Sequence, residues 1–126
     1  MERLHIEATK STPLIDFDHE TGRLIVKGES YPEYAAKFYA PVFAWLTDHL
    51  KADGGPETVL DLEIAYFNSS SSKALMNIFD MLEEAAEAGS SITVNWRYDE
   101  KNEAAEECGE EFKEDIENIT FNLVKI

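Results

Sequence analysis

The chain is poor in cysteine, in basic residues and in long apolar runs, and each shortage removes a class of function. A single cysteine, Cys108, leaves no intrachain disulfide and no thiolate metal cluster, and suits a reducing compartment. Only 11 Lys and Arg stand against 26 Asp and Glu, a formal net charge of −15 that repels nucleic-acid phosphates and anionic membrane surfaces. No apolar run approaches the ~20 residues that span a bilayer. MERLHIEATK lacks the apolar stretch of a signal peptide, so a cytoplasmic protein is expected. The histidines are few and scattered: His5, His19 and His49 fall on a strand, a turn and a helix end, and read as solvated rather than catalytic. There is no Gly-x-Ser-x-Gly elbow to make a serine nucleophile. The acids of DFDHETG resemble a calcium loop, but Lys27 stands where its twelfth-position glutamate belongs, so that stretch reads as a turn. No metal, cofactor or enzymatic activity is expected.

What is present fits one domain over residues 1–126, with 44% hydrophobic residues to build its core. LHIEA alternates like a strand, and LIDF and RLIVKG flank a turn in which Gly22 supplies positive φ, predicting a hairpin over residues 14–28. Ser30, Pro32 and Glu33 have capping-box spacing and predict a helix start. Its face is Ala35, Phe38, Tyr39, Val42, Trp45 and Leu46, with a kink or split at Pro41 and an end at Gly54-Gly55-Pro56. TVLDLEIAYF reads as a central strand of a covered sheet.

An amphipathic helix follows, with Leu75, Ile78, Phe79, Leu82, Ala85 and Ala86 on one face, ending at Gly89. SITVNWRYDE is a further strand, NEAAEECGEEFKEDI an acidic helix interrupted at Gly109, and ITFNLVKI a closing strand. Alternating strands and helices predict an α/β fold, a mixed sheet covered by helices. The glutamates from Glu103 to Glu111 read first as a solvated face and second as a docking face. Trp45 and Trp96 read as core, and Cys108, among acids, as an inert thiol.

The unusual stretch is YFNSSSSKALMNIFDMLEE, residues 66–84, where a serine run joins the central strand to the second helix. Asn68 or Ser69 can cap the helix, but one cap leaves the remaining hydroxyls unexplained. A helix N-terminus favours negative charge, so the fold would tolerate a phosphoserine there, with Lys73 one turn on to neutralise part of it. Two readings stay open: caps with solvated neighbours, or a phosphorylation site. Met76 and Asp80, on the same helix, are candidate partner contacts.

STP at 11–13, GESYPE at 28–33, Pro41, Trp45, YFNSSSSKALMNIFDMLE at 66–83, WRYDEKNE at 96–103 and GEEFKED at 109–115 together resemble the SiaC-like biofilm-regulation phosphoproteins over nearly the whole chain. The resemblance implies a fold like that of STAS domains and anti-sigma factor antagonists, with a phosphorylatable residue at the start of the helix after the central strand. It implies a non-enzymatic partner switch served by a cognate serine/threonine kinase, a PP2C-type phosphatase and an effector. In the family's best-known member the effector is a diguanylate cyclase, which makes cyclic di-GMP and is activated by the unphosphorylated form. The family's motif is similar to Asn-Thr-Ser-Ser, and its threonine falls on Ser69 here. With serine in that place, Ser70 and Ser71 remain alternatives. The competing functions are a constitutive scaffold or adaptor and a small-molecule-binding STAS-like module.

Overall fold

The computed structural model describes residues 1–51 and 57–126. The chain runs β1 (Leu4–Ile6), β2 (Leu14–Asp18), β3 (Arg23–Ser30), α1 (Ala35–Lys51), β4 (Thr58–Phe67), α2 (Ser69–Glu87), β5 (Ile92–Tyr98), α3 (Glu103–Glu114) and β6 (Thr120–Lys125). Among the described residues these strands form a 6-stranded mixed sheet in chain order. β1, β2 and β3 are antiparallel, and β3 to β6 are parallel. The hairpin turns as expected on Gly22, whose φ is 73°.

Each parallel step is made through a helix, and such crossovers are almost always right-handed. Because α1, α2 and α3 serve steps in the same direction across the sheet, all three lie on one face. The strand burial follows: Leu24, Val26, Leu60, Leu62, Val94, Trp96 and Phe121 are buried against the helices. The opposite face is polar and carries cross-strand pairs, among them Arg23 with Asp61 at 2.8 Å, Arg97 with Glu63 at 3.2 Å, and Asn122 with Asn95 at 3.0 Å. β4 is therefore central but covered on one side only, and its burial alternates where a fully covered strand would be buried throughout.

The start of α1 differs from expectation. Ser30 is the last residue of β3, not a helix cap, and the helix begins at Ala35. β4 continues to Phe67 and offers β3 a partner that far, so Glu29 pairs with Tyr66 and Ser30 with Phe67. Pro41 does not split α1. It lies on the exposed side, and the carbonyl left without its N–H partner belongs to exposed Lys37, where water can reach it. The predicted stop at Gly54-Gly55-Pro56 lies outside the described residues.

α2 ends as expected: Gly89 has φ 113°, its N–H donates to Ala86 O at 3.0 Å, and Ser90 N–H donates to Ala85 O at 3.0 Å, a Schellman closure. Gly109 does not interrupt α3. It faces Trp96 where no side chain would fit, a Cβ there falling 2.5 Å from Trp96 Cδ1 and 2.7 Å from Leu123 Cδ2.

His49 also departs from its reading as solvated. It is buried, stacked on Trp45 at 4.8 Å between ring centroids, with Nε2 2.9 Å from Thr58 Oγ1 and Nδ1 2.7 Å from His19 Nδ1. His19, read as solvated, is half-buried in the hairpin turn, and its contact with His49 was not legible because the two lie 30 residues apart. His5 is exposed.

Candidate functional site

β4 passes into α2 through one residue. Asn68 is extended (φ −88°, ψ 179°), and its side-chain oxygen accepts from Ser71 N–H at 2.9 Å. Its own N–H donates to Ser30 O at 3.1 Å, which fixes the cap to the end of β3. The N–H groups of Ser69 and Ser70 point out of the first turn without an intrahelical acceptor, as in any α-helix.

The four hydroxyls occupy three different environments. Ser69 and Ser70 are exposed. Ser72 is half-buried and borders a groove between α2 and α3. Ser71 is fully buried and accepts from Ser30 Oγ at 2.7 Å, while Ser30 Oγ lies 2.6 Å from Tyr39 OH. All three members of that hydroxyl cluster are at 0% exposure, and burial pushes the Tyr39 phenol above its ordinary pKa. A phosphate on Ser71 would have to break the cluster, whereas the hydroxyls of Ser69 and Ser70 are exposed to solvent.

Ser69, Lys73, Met76 and Asp80 are spaced 4, 3 and 4 residues apart, so they share one helix face. All four are exposed and form the outer ridge of α2. Ser70 and Lys73 also border a shallow groove against α1, with Tyr34 and Phe43 opposite. In a chain of net charge −15, the first turn of α2 holds no acid.

Tyr34 and Tyr66 were missed as site residues. Among the described residues, apart from the end residues Met1 and Ile126, the exposed large hydrophobics are Tyr34, Tyr66 and Met76, at 67%, 53% and 51% exposure. Tyr34 borders the groove of Ser70 and Lys73, Tyr66 lies two residues before the Asn68 cap, and Met76 lies two turns into α2. Tyr66 has the strand parity of buried Ile64, so alternation alone points it inward. A register shift reverses that: Gly28 pairs with Ile64 and Glu29 with Tyr66, which skips Ala65, turns Tyr66 out and leaves Phe67 against Trp96 at 6.1 Å between ring centroids. Gly28, with φ 131°, marks the shift.

Residues 6–126 match the SiaC family of regulatory phosphoproteins. The chain belongs to that family. A protein of Pseudomonas aeruginosa is 45% identical over 115 residues, 91% of this chain and 90% of its own. SiaC of Pseudomonas aeruginosa has the same fold, with a TM-score of 0.92 at 40% identity over 100% of both chains. A second similar structure is a complex of the diguanylate cyclase SiaD with its activator SiaC from that organism, matched at TM-score 0.91 and 42% identity over 98% of this chain and 99% of that one. Among the described residues no helix is long and apolar enough to cross a membrane.

Proposed function

We propose that this regulatory phosphoprotein works as a partner switch whose switch residue is Ser69. The unmodified form docks an effector, a diguanylate cyclase, through the outer ridge of α2, and a phosphate on Ser69 releases it. One observation carries the reading: an exposed serine opens an acid-free helix N-terminus, with exposed Tyr34 bordering the groove of Ser70 and Lys73, exposed Tyr66 two residues before the cap, and exposed Met76 two turns on. Aromatic and methionine side chains are the usual anchors of protein interfaces. Support for the effector's identity comes from the SiaD complex of the similar Pseudomonas protein.

The energetics suit a switch. At a helix N-terminus a negative charge gains ~0.3–1 kcal/mol, so the phosphate leaves the fold intact. Lys73, four residues on, stands over the same face. Burying that charge in an apolar interface without a cationic partner costs several kcal/mol, and each ~1.4 kcal/mol is tenfold in affinity. Under this reading the protein catalyses nothing itself. A serine/threonine kinase and a PP2C-type phosphatase set the phosphate level in the cytoplasm, as in the partner switches of anti-sigma factor antagonists and their STAS-like fold.

Intact-mass and peptide mass spectrometry of protein from its native cell, paired with recovery of bound partners, tests the proposal. A phosphate on Ser69, lost in Ser69→Ala, with effector bound only to the unmodified form, is the expected result. Labelling that persists in Ser69→Ala and vanishes in Ser70→Ala moves the switch by one residue. No phosphate under any growth condition, with one unchanging partner, makes the protein a constitutive adaptor.

A further inference from the structure

The stretch WRYDEKNE, residues 96–103, has no part in the switch, yet three of its side chains line one cavity. Arg97, Asp99 and Asn102 meet Lys27, Glu63 and Ala65 around a space of about 250 Å³ toward the carboxyl ends of β3, β4 and β5. In open α/β sheets ligands usually sit in a crevice outside those ends, where the strand order reverses. Here the order runs straight from β1 to β6, so topology alone opens no crevice. The register shift between β3 and β4 supplies one. It falls where Gly28 has no side chain and Ala65, skipped by the pairing, has only a methyl, so bulk is missing beside the longer side chains of Lys27, Glu63 and Arg97.

The walls of the cavity are held in place. Glu63 lies between two cations, with Arg97 Nε donating to its Oε1 at 3.2 Å and Lys27 Nζ 3.5 Å from its Oε2. Asn102 accepts from Ala105 N–H at 3.1 Å to cap α3, while its amide donates to Ala65 O at 3.0 Å. Asp99 Oδ1 accepts from Lys101 N–H at 2.8 Å. Lys27 and Asp99 are exposed at the rim, and Arg97 and Glu63 are half-buried. Glu63 engages only the Nε side of the arginine. Among the described residues the two Nη groups of Arg97 have no hydrogen-bond or ion-pair partner, and a guanidinium edge of that kind fits a carboxylate bidentately.

We propose that this cavity binds a small zwitterion of the amino-acid class, with its carboxylate on Arg97 and Lys27 and its ammonium on Asp99. The lining charges balance, Lys27 and Arg97 against Glu63 and Asp99, and a ligand that carries both poles keeps that balance. A dianion such as a phosphate monoester upsets it and enters against the field of a chain of net charge −15. The volume lies below the ~300–1,000 Å³ of pockets for drug-sized ligands, so the occupant is small. The site takes no part in the phosphate chemistry of Ser69 and stands or falls apart from it.

A ligand that binds the folded chain raises its melting temperature, so the test is a thermal screen of the full chain. The probes are the standard L-amino acids, singly at about 10 mM, with inorganic phosphate as the anionic probe. At least one amino acid should give a saturable rise that neither its deaminated acid nor its decarboxylated amine matches. Arg97→Lys keeps the charge but loses the fork, and should weaken binding at least about tenfold. Ala65→Leu, at an exposed position, fills the cavity and should abolish binding. No rise with any amino acid overturns the proposal. Binding that both variants retain also overturns it, because the ligand then sits elsewhere. Equal binding of the deaminated acid overturns the role of Asp99 and with it the zwitterion. A rise with phosphate alone overturns the ligand class.

Discussion

The hydroxyl of Ser30 donates to the hydroxyl of Ser71 at 2.7 Å and lies 2.6 Å from that of Tyr39, so the end of β3, the first turn of α2 and the second turn of α1 meet in one buried cluster. Ser30→Ala leaves both partners buried and unpaired, and should cost ~1–3 kcal/mol in urea unfolding. Ser71→Ala removes an outer member and should cost less. The double variant should fall short of the sum, because the two share a bond. Ser71→Asp should destabilise far more than Ser69→Asp, since only the first buries a charge. Equal stability of the two aspartate variants would mean that the cluster is open.

Gly109 is the close-approach point of α3 on the sheet. Trp96 cannot yield easily, because its indole N–H donates to Ala105 O at 2.9 Å and holds the ring under the helix. Gly109→Ala gains up to ~1 kcal/mol of helix propensity, but overpacking costs ~1–3 kcal/mol, so net destabilisation with altered tryptophan fluorescence is expected. A more stable variant would show that α3 can lift off Trp96 without penalty.

These two sites also separate what was legible in the sequence from what was not. The strands from Leu14 onward, the α2 stripe of Leu75, Ile78, Phe79 and Leu82, and the Asn68 cap follow from local periodicity and capping chemistry, and they agree with the structure. Ser30 and Gly109 were misread because each was assigned its commonest local role, cap and breaker. Their actual roles depend on β4 and on Trp96, which are distant in sequence. Tyr66 was hidden by a one-residue register shift, and the His19–His49 pair by a separation of 30 residues. The ridge of Ser69, Lys73, Met76 and Asp80 was accessible from helical spacing; its aromatic surround was not.

Glu83 ties α2 to the loop before β6. Its carboxylate accepts from the backbone N–H groups of Asn118 at 2.9 Å, Ile119 at 3.1 Å and Glu117 at 3.2 Å. Burial pushes its pKa up, but the bonds from Asn118, Glu117 and Ile119 together outweigh it, and the group sits below its ordinary 4.5. A depressed folded-state pKa contributes stability that is present above 4.5 and lost as pH falls through the folded value. Glu83→Gln should lose ~1 kcal/mol near neutrality and unfold less steeply in acid below that point. An unchanged acid limb would exclude Glu83 as a source of acid sensitivity.

His49 should act at higher pH. Burial, then the charge of neighbouring His19, hold its pKa below the ordinary 6.5. The imidazole is therefore neutral in the fold, and one proton suffices for the 2.7 Å contact between the two Nδ1 atoms. In the unfolded chain it binds a proton near 6.5, so its contribution is complete above that pH and declines as pH falls toward the folded value. Exposed His5 is shifted up by its hydrogen bond to Glu7 and contributes with the opposite sign, but equally in wild type and variants. The melting temperature should fall from neutral pH toward mildly acidic pH, and His49→Gln should flatten that decline even if it lowers stability throughout. His19→Gln, which keeps His49 buried but removes the neighbouring imidazole, should flatten it only in part. Trp45, stacked on His49, supplies an independent signal, because an imidazolium against the indole quenches its fluorescence. A pH profile with the same slope in all three proteins would show that His49 does not titrate with folding.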